Sequence, residues 1–259
     1  MSPTLLLIDA LNLIRRIHAA VPAPDDKQQV DGALSATLAS VTRALRVCQP
    51  SHALVVFDGD PPTWRHEILP EYKSQRKPMP AELRNRLTDF NQLFRQNGLM
   101  TFRKNGMEAD DVIGAVAHKA IQAGVATTIL STDRTYQQLL SSPLVTIRDH
   151  FNKQDIRSED IQQKYHVSPH QLIDLWSMAG VGDIHGVSGV GEKGALKLLQ
   201  EFGSLDTILA FEGESKGALN KTIEQKEQAL LSRQLVTLKK VFELGLSMKD
   251  LRYFPPRTP

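Results

Sequence analysis

Residues 4–9 read Thr-Leu-Leu-Leu-Ile-Asp, an apolar run that an acidic residue closes. The pattern recurs at residues 53–58, Ala-Leu-Val-Val-Phe-Asp, and at residues 126–133, Ala-Thr-Thr-Ile-Leu-Ser-Thr-Asp. Short continuous apolar runs are typical of strands that are buried on both faces of a parallel sheet. The sequence therefore predicts three such strands, each with an aspartate at its carboxyl end. These aspartates are Asp9, Asp58 and Asp133.

Helical patterns separate these runs. Apolar residues recur at helical spacing over residues 31–47, 81–96 and 109–122, and a weaker fourth strand pattern covers residues 144–148. Alternating strands and helices predict an α/β fold, with a parallel sheet and helices on both of its faces. In such sheets ligands bind beyond the carboxyl ends of the strands, where the three aspartates would meet.

The second part of the chain has a different character. Strand patterns stop near residue 155, and helical patterns follow at residues 158–165, 169–178, 195–201 and 222–244. Residues 180–194 hold six of the 16 glycines. We therefore expect two parts, residues 1–160 and residues 161–259.

Composition excludes several classes of protein. The 259 residues contain one cysteine, Cys48, which excludes a disulfide framework and a cysteine zinc site. The apolar run Leu5–Ile8 is far too short to span a bilayer. The net charge of +2 does not by itself indicate nucleic-acid binding. We expect a soluble, cytoplasmic protein, with no membrane partner, that acts as a monomer.

The segment Glu108-Ala109-Asp110-Asp111 places three carboxylates at the start of a predicted helix. One interpretation is a heavily capped helix N-terminus, which the helix dipole partly supports. The other interpretation is a metal site that also includes the strand-end aspartates. Six carboxylates at one sheet edge would repel each other strongly without a cation, and oxygen-only ligands select Mg²⁺ or Mn²⁺. The candidate metal ligands are Asp9, Asp58, Glu108, Asp110, Asp111 and Asp133.

A basic segment follows the second predicted strand. Residues 65–104 contain nine Lys and Arg against four Asp and Glu. Within it, Lys73, Arg76 and Lys77 are candidates to hold phosphates, and Tyr72 is a candidate to stack on a base. A solvated loop of mixed charge is the alternative.

The glycine-rich segment Gly186–Gly194 contains the pattern G-x-G-x-x-G. No strand precedes it, which argues against a dinucleotide fold. A tight hairpin between two helices would expose backbone N–H groups at a helix N-terminus, where a phosphate binds well, and Lys193 would add a positive charge. A plain turn between helices is the alternative.

Together these residues resemble the 5′–3′ exonuclease and flap endonuclease superfamily along nearly the whole chain. The shared features are the strand-end aspartates, Tyr72-Lys73-x-x-Arg76, Glu108-Ala109-Asp110-Asp111, Ser131-Thr132-Asp133 and the hairpin. The opening residues look like those of the bacterial exonuclease IX branch. The resemblance implies a PIN-like nuclease domain over residues 1–160 and a helix-three-turn-helix DNA-binding region over residues 161–259.

The chain departs from the superfamily pattern at the second metal site. Thr135 stands where a second aspartate is usual, and the loop before the hairpin keeps only Asp183. The exonuclease IX branch is similar in this respect. We therefore expect one ion at the first cluster, with Asp110 as the ligand that touches it directly.

The resemblance also implies roles for the hairpin. Backbone carbonyls at five positions would hold a potassium ion that bridges the protein to a DNA phosphate, and the hairpin tip would contact the DNA backbone. The carbonyls belong to Met178, Ala179, His185, Val187 and Val190. The tip residues are Gly189, Val190, Gly191, Glu192, Lys193 and Gly194.

We therefore expect a Mg²⁺-dependent, structure-specific 5′ nuclease that hydrolyses phosphodiester bonds in 5′-flap DNA during replication or repair. Asp110, Lys73 and Arg76 would carry catalysis, and the DNA would be bound without reading its sequence. Two alternatives remain. Loss of second-site carboxylates suits a catalytically weak DNA-junction-binding protein, and Gly189–Gly194 would suit a nucleotide-cofactor enzyme.

Overall fold

The computed structural model describes residues 2–240 and 243–255. Its sheet has six strands in the order β3-β2-β1-β4-β5-β6. Neighbouring strands from β3 through β5 are parallel, and β6 is antiparallel to β5. The strands are β1 (Thr4–Asp9), β2 (His52–Val56), β3 (Met100–Phe102), β4 (Ala126–Leu130), β5 (Val145–Asp149) and β6 (Gln154–Ile156).

The predicted parallel sheet is confirmed, since β1, β2, β4 and β5 coincide with the four apolar runs. The prediction missed β3 and β6, which have three residues each. Runs of this length are too short to show a period in the sequence.

Helices surround the sheet in the first half of the chain. They are α1 (Ala10–Ala20), α2 (Asp26–Cys48), α3 (Trp64–Ile68), α4 (Ala81–Asn85), α5 (Leu87–Gln96) and α6 (Ala109–Gln122), with a 3₁₀-helix at Arg134–Ser141. The single helix predicted over residues 81–96 is therefore wrong. It divides at Arg86, whose φ of −105° and ψ of 14° leave the helical region.

The second half is helical, as predicted. It contains α7 (Ser158–Tyr165), a 3₁₀-helix (Pro169–Gln171), α8 (Leu172–Ala179), α9 (Glu192–Phe202), α10 (Leu205–Leu209), α11 (Ala218–Glu224) and α12 (Lys226–Val236). The expected boundary after residue 160 falls inside α7. Within the described ranges, no helix is both long and apolar enough to cross a bilayer.

The single helix predicted over residues 222–244 is wrong, because it is broken at Gln225, between α11 and α12, and it ends early. α12 stops at Val236, residues 237–240 and 243–244 are not helical, and residues 241–242 lie outside the described part. The Gln138 side chain binds the backbone on both sides of this end. It donates to the Val236 carbonyl and accepts from the N–H of Leu238. These tertiary hydrogen bonds replace those that a longer helix would make.

The core lies on both faces of the sheet, and β1 shows why. Leu5 and Leu7 pack with α6 on one face, whereas Leu6 and Ile8 pack with α1 and α2 on the other. Side chains alternate between the faces of a strand, so a strand buried on both sides must be apolar throughout.

The strand order places the three strand-end aspartates together. From β1 the chain builds outward through β2 and β3 on one side, and through β4 and β5 on the other. The carboxyl ends of β1 and β4 therefore form the switch point at which open α/β sheets bind ligands. Asp9 ends β1, Asp58 lies two residues after β2, and Asp133 lies three residues after β4.

Candidate metal and nucleic-acid site

A pocket of about 410 Å³ lies at this switch point. Four of the predicted metal ligands line it, and so do four basic side chains. The acidic residues are Asp9, Asp58, Asp110 and Asp133. The basic residues are Arg15, Arg16, Lys73 and Arg76. Side chains from five separate segments thus meet in one pocket, with negative charge beside positive charge.

Helix N-termini hold three of these carboxylates in place. Asp9 caps α1 and accepts from the N–H of Asn12 at 3.1 Å. Asp133 caps the following 3₁₀-helix, and Asp58 accepts from Ala109, the first residue of α6, at 2.9 Å. The N–H groups and dipoles of three helices therefore support negative charge around the pocket.

Two of the pocket carboxyls resist ionisation. Burial, followed by the charge of Asp58, raises the pKa of Asp9 to about 7, although Tyr136 donates to it at 3.0 Å. Burial also raises the pKa of Asp110 well above its ordinary value, and the charges of Asp111 and Glu108 add to this against the opposing charge of Arg65. A cation in the pocket would relieve both effects, because it stabilises the ionised forms.

Glu108 and Asp111 form a second group, which is buried around Arg65. Arg65 lies on α3 and is 1% exposed. It contacts Asp111 through two nitrogens, at 2.8 Å and 3.2 Å. Asp111 also accepts from the Trp64 indole N–H at 2.6 Å and from the N–H of Lys239 at 2.9 Å. Its oxygens are therefore already used by donors of the protein.

Glu108 is paired in the same way, since it accepts from both Arg65 and Lys73. The three carboxyl groups of the motif thus share two cations, and Asp110 has the loosest contact with them, at 3.4 Å from Arg65. The oxygens of the three carboxylates lie within 4.8 Å of one another, a spacing that a metal ion fits. For Glu108 or Asp111 to bind a metal directly, however, the ion would have to displace Arg65 or Lys73.

The basic segment lies beside the acidic pocket, as expected, but Tyr72 differs from the expectation. Lys73 and Arg76 line the acidic pocket, and Lys73 has a left-handed backbone with φ of +58°. Tyr72 is 5% exposed, with its ring 5.5 Å from that of His66 and 5.0 Å from the Lys73 ammonium. In this conformation the Tyr72 ring packs in the protein and is not available to stack on a base.

A second pocket, of about 560 Å³, joins the basic segment to the glycine hairpin. Lys73 and Arg76 line one side of it, and Asp183, His185 and Ser188 line the other. Because the two basic residues border both pockets, they connect the acidic pocket to the hairpin along one surface.

The hairpin packs tightly against the end of α8. A Cβ atom at Gly186 would overlap the carbonyl oxygen of Met178, so only glycine fits there. Gly189 has a φ of +75°, which favours glycine, and Gly191 caps α9. With Lys193 exposed in the first turn of α9, this N-terminus suits a phosphate.

The predicted potassium carbonyls are not equivalent. The carbonyl of Met178 accepts from the N–H of Val187, and the carbonyl of Val187 accepts from the N–H of Val190. The carbonyl of His185 accepts from Ser232 at 2.6 Å and from Gln228 at 3.1 Å. A carbonyl oxygen has two lone pairs, so this one is saturated. His185 therefore fits the predicted potassium site poorly in this geometry.

Four basic residues of this region were not predicted. Arg65 lies under the motif carboxylates, and Arg15 and Arg16 line the acidic pocket. The ammonium of Lys221, on α11, lies 3.3 Å from the carbonyl of Gly189 at the hairpin tip. The local excess of positive charge included Arg65, but nothing in the pattern distinguished it from its exposed neighbours.

The chain matches two family descriptions that together span it. Residues 4–166 match the 5′–3′ exonuclease N-terminal, resolvase-like domain, and residues 167–259 match the 5′–3′ exonuclease C-terminal SAM fold. The two regions meet just past α7.

Relatives and a solved structure agree with this result. The chain is 39% identical to the flap endonuclease Xni of Aeromonas hydrophila, covering 98% of this chain and 97% of that protein. It is 41% identical to the Xni of Psychromonas ingrahamii, covering 98% of each. The solved T5 5′-exonuclease with bound divalent metal ions (zinc) superposes with a TM-score of 0.77 at 24% identity, covering 91% and 90% of the two chains. The superfamily predicted from the sequence is confirmed, and the chain belongs to the 5′–3′ exonuclease family.

Proposed function

We propose that this chain, a metal-dependent 5′ flap nuclease, uses Mg²⁺ to hydrolyse a phosphodiester bond near the base of a 5′ flap in DNA. The observation that carries this proposal is the meeting of Asp9, Asp58, Asp110 and Asp133 in one pocket beside Lys73 and Arg76. We further propose that it acts as a monomer in the cytoplasm.

The donor set fits a hard divalent ion. The acidic ligands of the pocket are carboxylates, which Mg²⁺ and Mn²⁺ prefer over the nitrogen and sulfur ligands of softer metals. Asp110 is the direct ligand in this proposal, because the protein's own cations neutralise Glu108 and Asp111. Asp9, Asp58 and Asp133 would act mainly through water. When bound, Mg²⁺ lowers the pKa of a coordinated water and offsets charge on the phosphate.

The basic residues of the pocket position the reacting phosphate. Arg76 is exposed and borders both pockets, so it can hold a phosphate between the duplex and the carboxylates. Lys73 contacts Glu108 and lies in the same wall. Positive charges fixed at this place stabilise the charge that develops during hydrolysis more than they stabilise the substrate.

The hairpin holds the duplex part of the substrate. Backbone N–H groups at Gly189–Gly194, with Lys193, would bind phosphates of one strand without reading bases. Potassium, if it binds, would use the carbonyls of Met178, Ala179, Val187 and Val190. Because the hairpin binds phosphates, affinity for DNA should fall steeply as the salt concentration rises.

The competing proposal is a DNA-junction binder with little activity. It is favoured by Thr135, whose hydroxyl donates to Asp133 at 2.8 Å where the superfamily usually has another carboxylate. The decisive experiment incubates a labelled 5′-flap duplex with the protein and Mg²⁺, and repeats the incubation with a chelator. We expect cleavage that the chelator abolishes. Tight binding without cleavage in Mg²⁺ or Mn²⁺ would favour the junction binder.

A further inference from the structure

Arg65 connects parts of the chain that are far apart in sequence. Its side chain is buried, and it contacts Glu108, Asp111 and, at 3.4 Å, Asp110. Its Nε also donates to the carbonyl of Leu235, 170 residues further along the chain, at 2.8 Å. Leu235 lies in the last turn of α12. One guanidinium therefore joins the proposed metal ligand to a helix of the second half.

The same helix supports the hairpin near its other end. Gln225, which precedes α12, donates to the carbonyl of Ser188 at 3.2 Å and accepts from its N–H at 2.9 Å. Ser232 is fully buried, and its hydroxyl donates to the carbonyl of His185 at 2.6 Å. A rigid helix thus spans the distance from the hairpin to Arg65.

We propose that Arg65 is a positioning residue that makes the geometry of Asp110 depend on the seating of α12, and hence on the hairpin to which α12 is bound. This rests on the proposed metal role of Asp110. Arg65 pairs closely with Glu108 and Asp111 and more loosely, at 3.4 Å, with Asp110, which is the motif carboxyl that lines the pocket. When DNA settles on the hairpin, the position of α12 sets the position of Arg65, and Arg65 sets the direction of Asp110.

The chemistry of the contacts requires arginine. A guanidinium has five donors in a fixed plane, and here these donors bind two carboxylates and one carbonyl, with Asp110 as a further ion-pair partner at 3.4 Å. A lysine ammonium at this place would keep the charge, but it could not bind Asp111 through two nitrogens and the Leu235 carbonyl as well.

The first test is Arg65→Lys, with Arg86→Lys as the matched control. Arg86 also bridges two carboxylates, Asp31 and Asp89, but it lies outside the pocket. Calorimetric titration of the DNA-free protein with Mg²⁺ should show affinity about 10- to 100-fold lower in Arg65→Lys and unchanged in Arg86→Lys. Duplex affinity in chelator should stay within about twofold of the wild type, because the hairpin is intact.

Two results would overturn the proposal. One is wild-type Mg²⁺ affinity in Arg65→Lys. The other is an equal loss of Mg²⁺ and duplex affinity, which indicates general damage to the fold. The titration does not depend on cleavage. If the wild type binds Mg²⁺ but cleaves no flap, the proposed function fails while the inference about Arg65 is still tested.

A double-mutant cycle tests the connection through α12. Ser232→Ala removes one of the bonds to the hairpin, the one to the His185 carbonyl, and Arg65→Lys weakens the bond at the other end. If the helix transmits the seating of the hairpin, kcat in the double variant should fall less than the product of the two single effects. Multiplicative effects would show that the two contacts act independently, which contradicts the proposal.

Trp64 provides a measurement that needs no change to Arg65, should Arg65→Lys not fold. The Arg65 guanidinium lies 4.5 Å from the Trp64 ring centre, and the indole N–H binds Asp111. Duplex DNA added without metal should change the tryptophan emission of the wild type, and Trp64→Phe should remove that change. An emission that DNA leaves unchanged would overturn the proposal.

Discussion

Asp110 and Asp111 are neighbours in sequence, yet they lie in opposite surroundings. Asp110 is partly exposed and lines the pocket with Asp9, Asp58 and Asp133. Asp111 is fully buried and accepts hydrogen bonds from Trp64, Arg65 and Lys239. Successive residues of a helix point about 100° apart, so neighbouring carboxylates can lie in different surroundings. Asp110 therefore serves the proposed chemistry of the pocket, whereas Asp111 stabilises the fold.

The largest expected effect concerns Asp110, the residue of the pair that lines the pocket. Asp110→Asn removes the proposed direct metal ligand, so metal-dependent flap cleavage should fall on the order of 10³-fold. Duplex binding should persist, because the hairpin is untouched. Single-turnover cleavage and fluorescence anisotropy measure the two properties. Cleavage at the wild-type rate would exclude Asp110 as the metal ligand.

Asp111, the buried residue of the pair, should contribute strongly to the free energy of unfolding. Asp111→Ala leaves Arg65, the Trp64 indole and the Lys239 N–H without their acceptor, so the free energy of unfolding should fall by about 3–5 kcal/mol. Asp133→Ala, which removes only a helix cap, should cost about 1 kcal/mol. Urea denaturation gives both values. Equal losses in the two variants would mean that the groups do not differ as described.

The pH dependence of metal binding tests whether Asp9 titrates in the pocket as described. Asp9 has a pKa of about 7, so below pH 7 it is mainly protonated and neutral. Mg²⁺ affinity should therefore rise with pH through 7, by about tenfold between pH 6 and pH 8. Calorimetric titrations across this range give the affinities. Asp9→Asn should flatten the profile, and an unchanged profile in this variant would assign the titration to another group.

The smallest effect concerns Lys193 of the hairpin, which does not line the acidic pocket. Lys193→Ala should weaken duplex binding about two- to fivefold. It should also lower the slope of log affinity against log salt by about 1. Lys27→Ala, on α2, is the control that should change neither. If Lys193→Ala instead weakened Mg²⁺ binding in the absence of DNA, the assignment of Lys193 to DNA phosphates alone would be wrong.

Much of the pocket could be predicted because its residues lie where strands end. The runs closed by Asp9 and Asp58 show both a buried strand and the edge to which its carboxylate belongs. Parallel pairing then brings these edges together, whatever the sequence between them. The start of α6 at Ala109 was predictable for a similar local reason, since acidic residues favour a helix N-terminus.

The remaining features depend on contacts between distant residues. Arg65 lies in a segment of mixed charge, and its burial follows from carboxylates 43 to 46 residues away and from a carbonyl 170 residues away. The end of α12 is set by Gln138, and the burial of Tyr72 by the core around it. Such tertiary contacts leave no period in the sequence, so only the folded structure divides the motif carboxylates into two groups.

The most direct test of the central claim is a crystal structure grown with Mn²⁺, with the ion located by anomalous scattering. We predict a peak at coordination distance from Asp110, in the pocket with Asp9, Asp58 and Asp133, and Arg65 still bound to Glu108 and Asp111. A peak between Glu108 and Asp111, with Arg65 displaced, would contradict the division of the two groups.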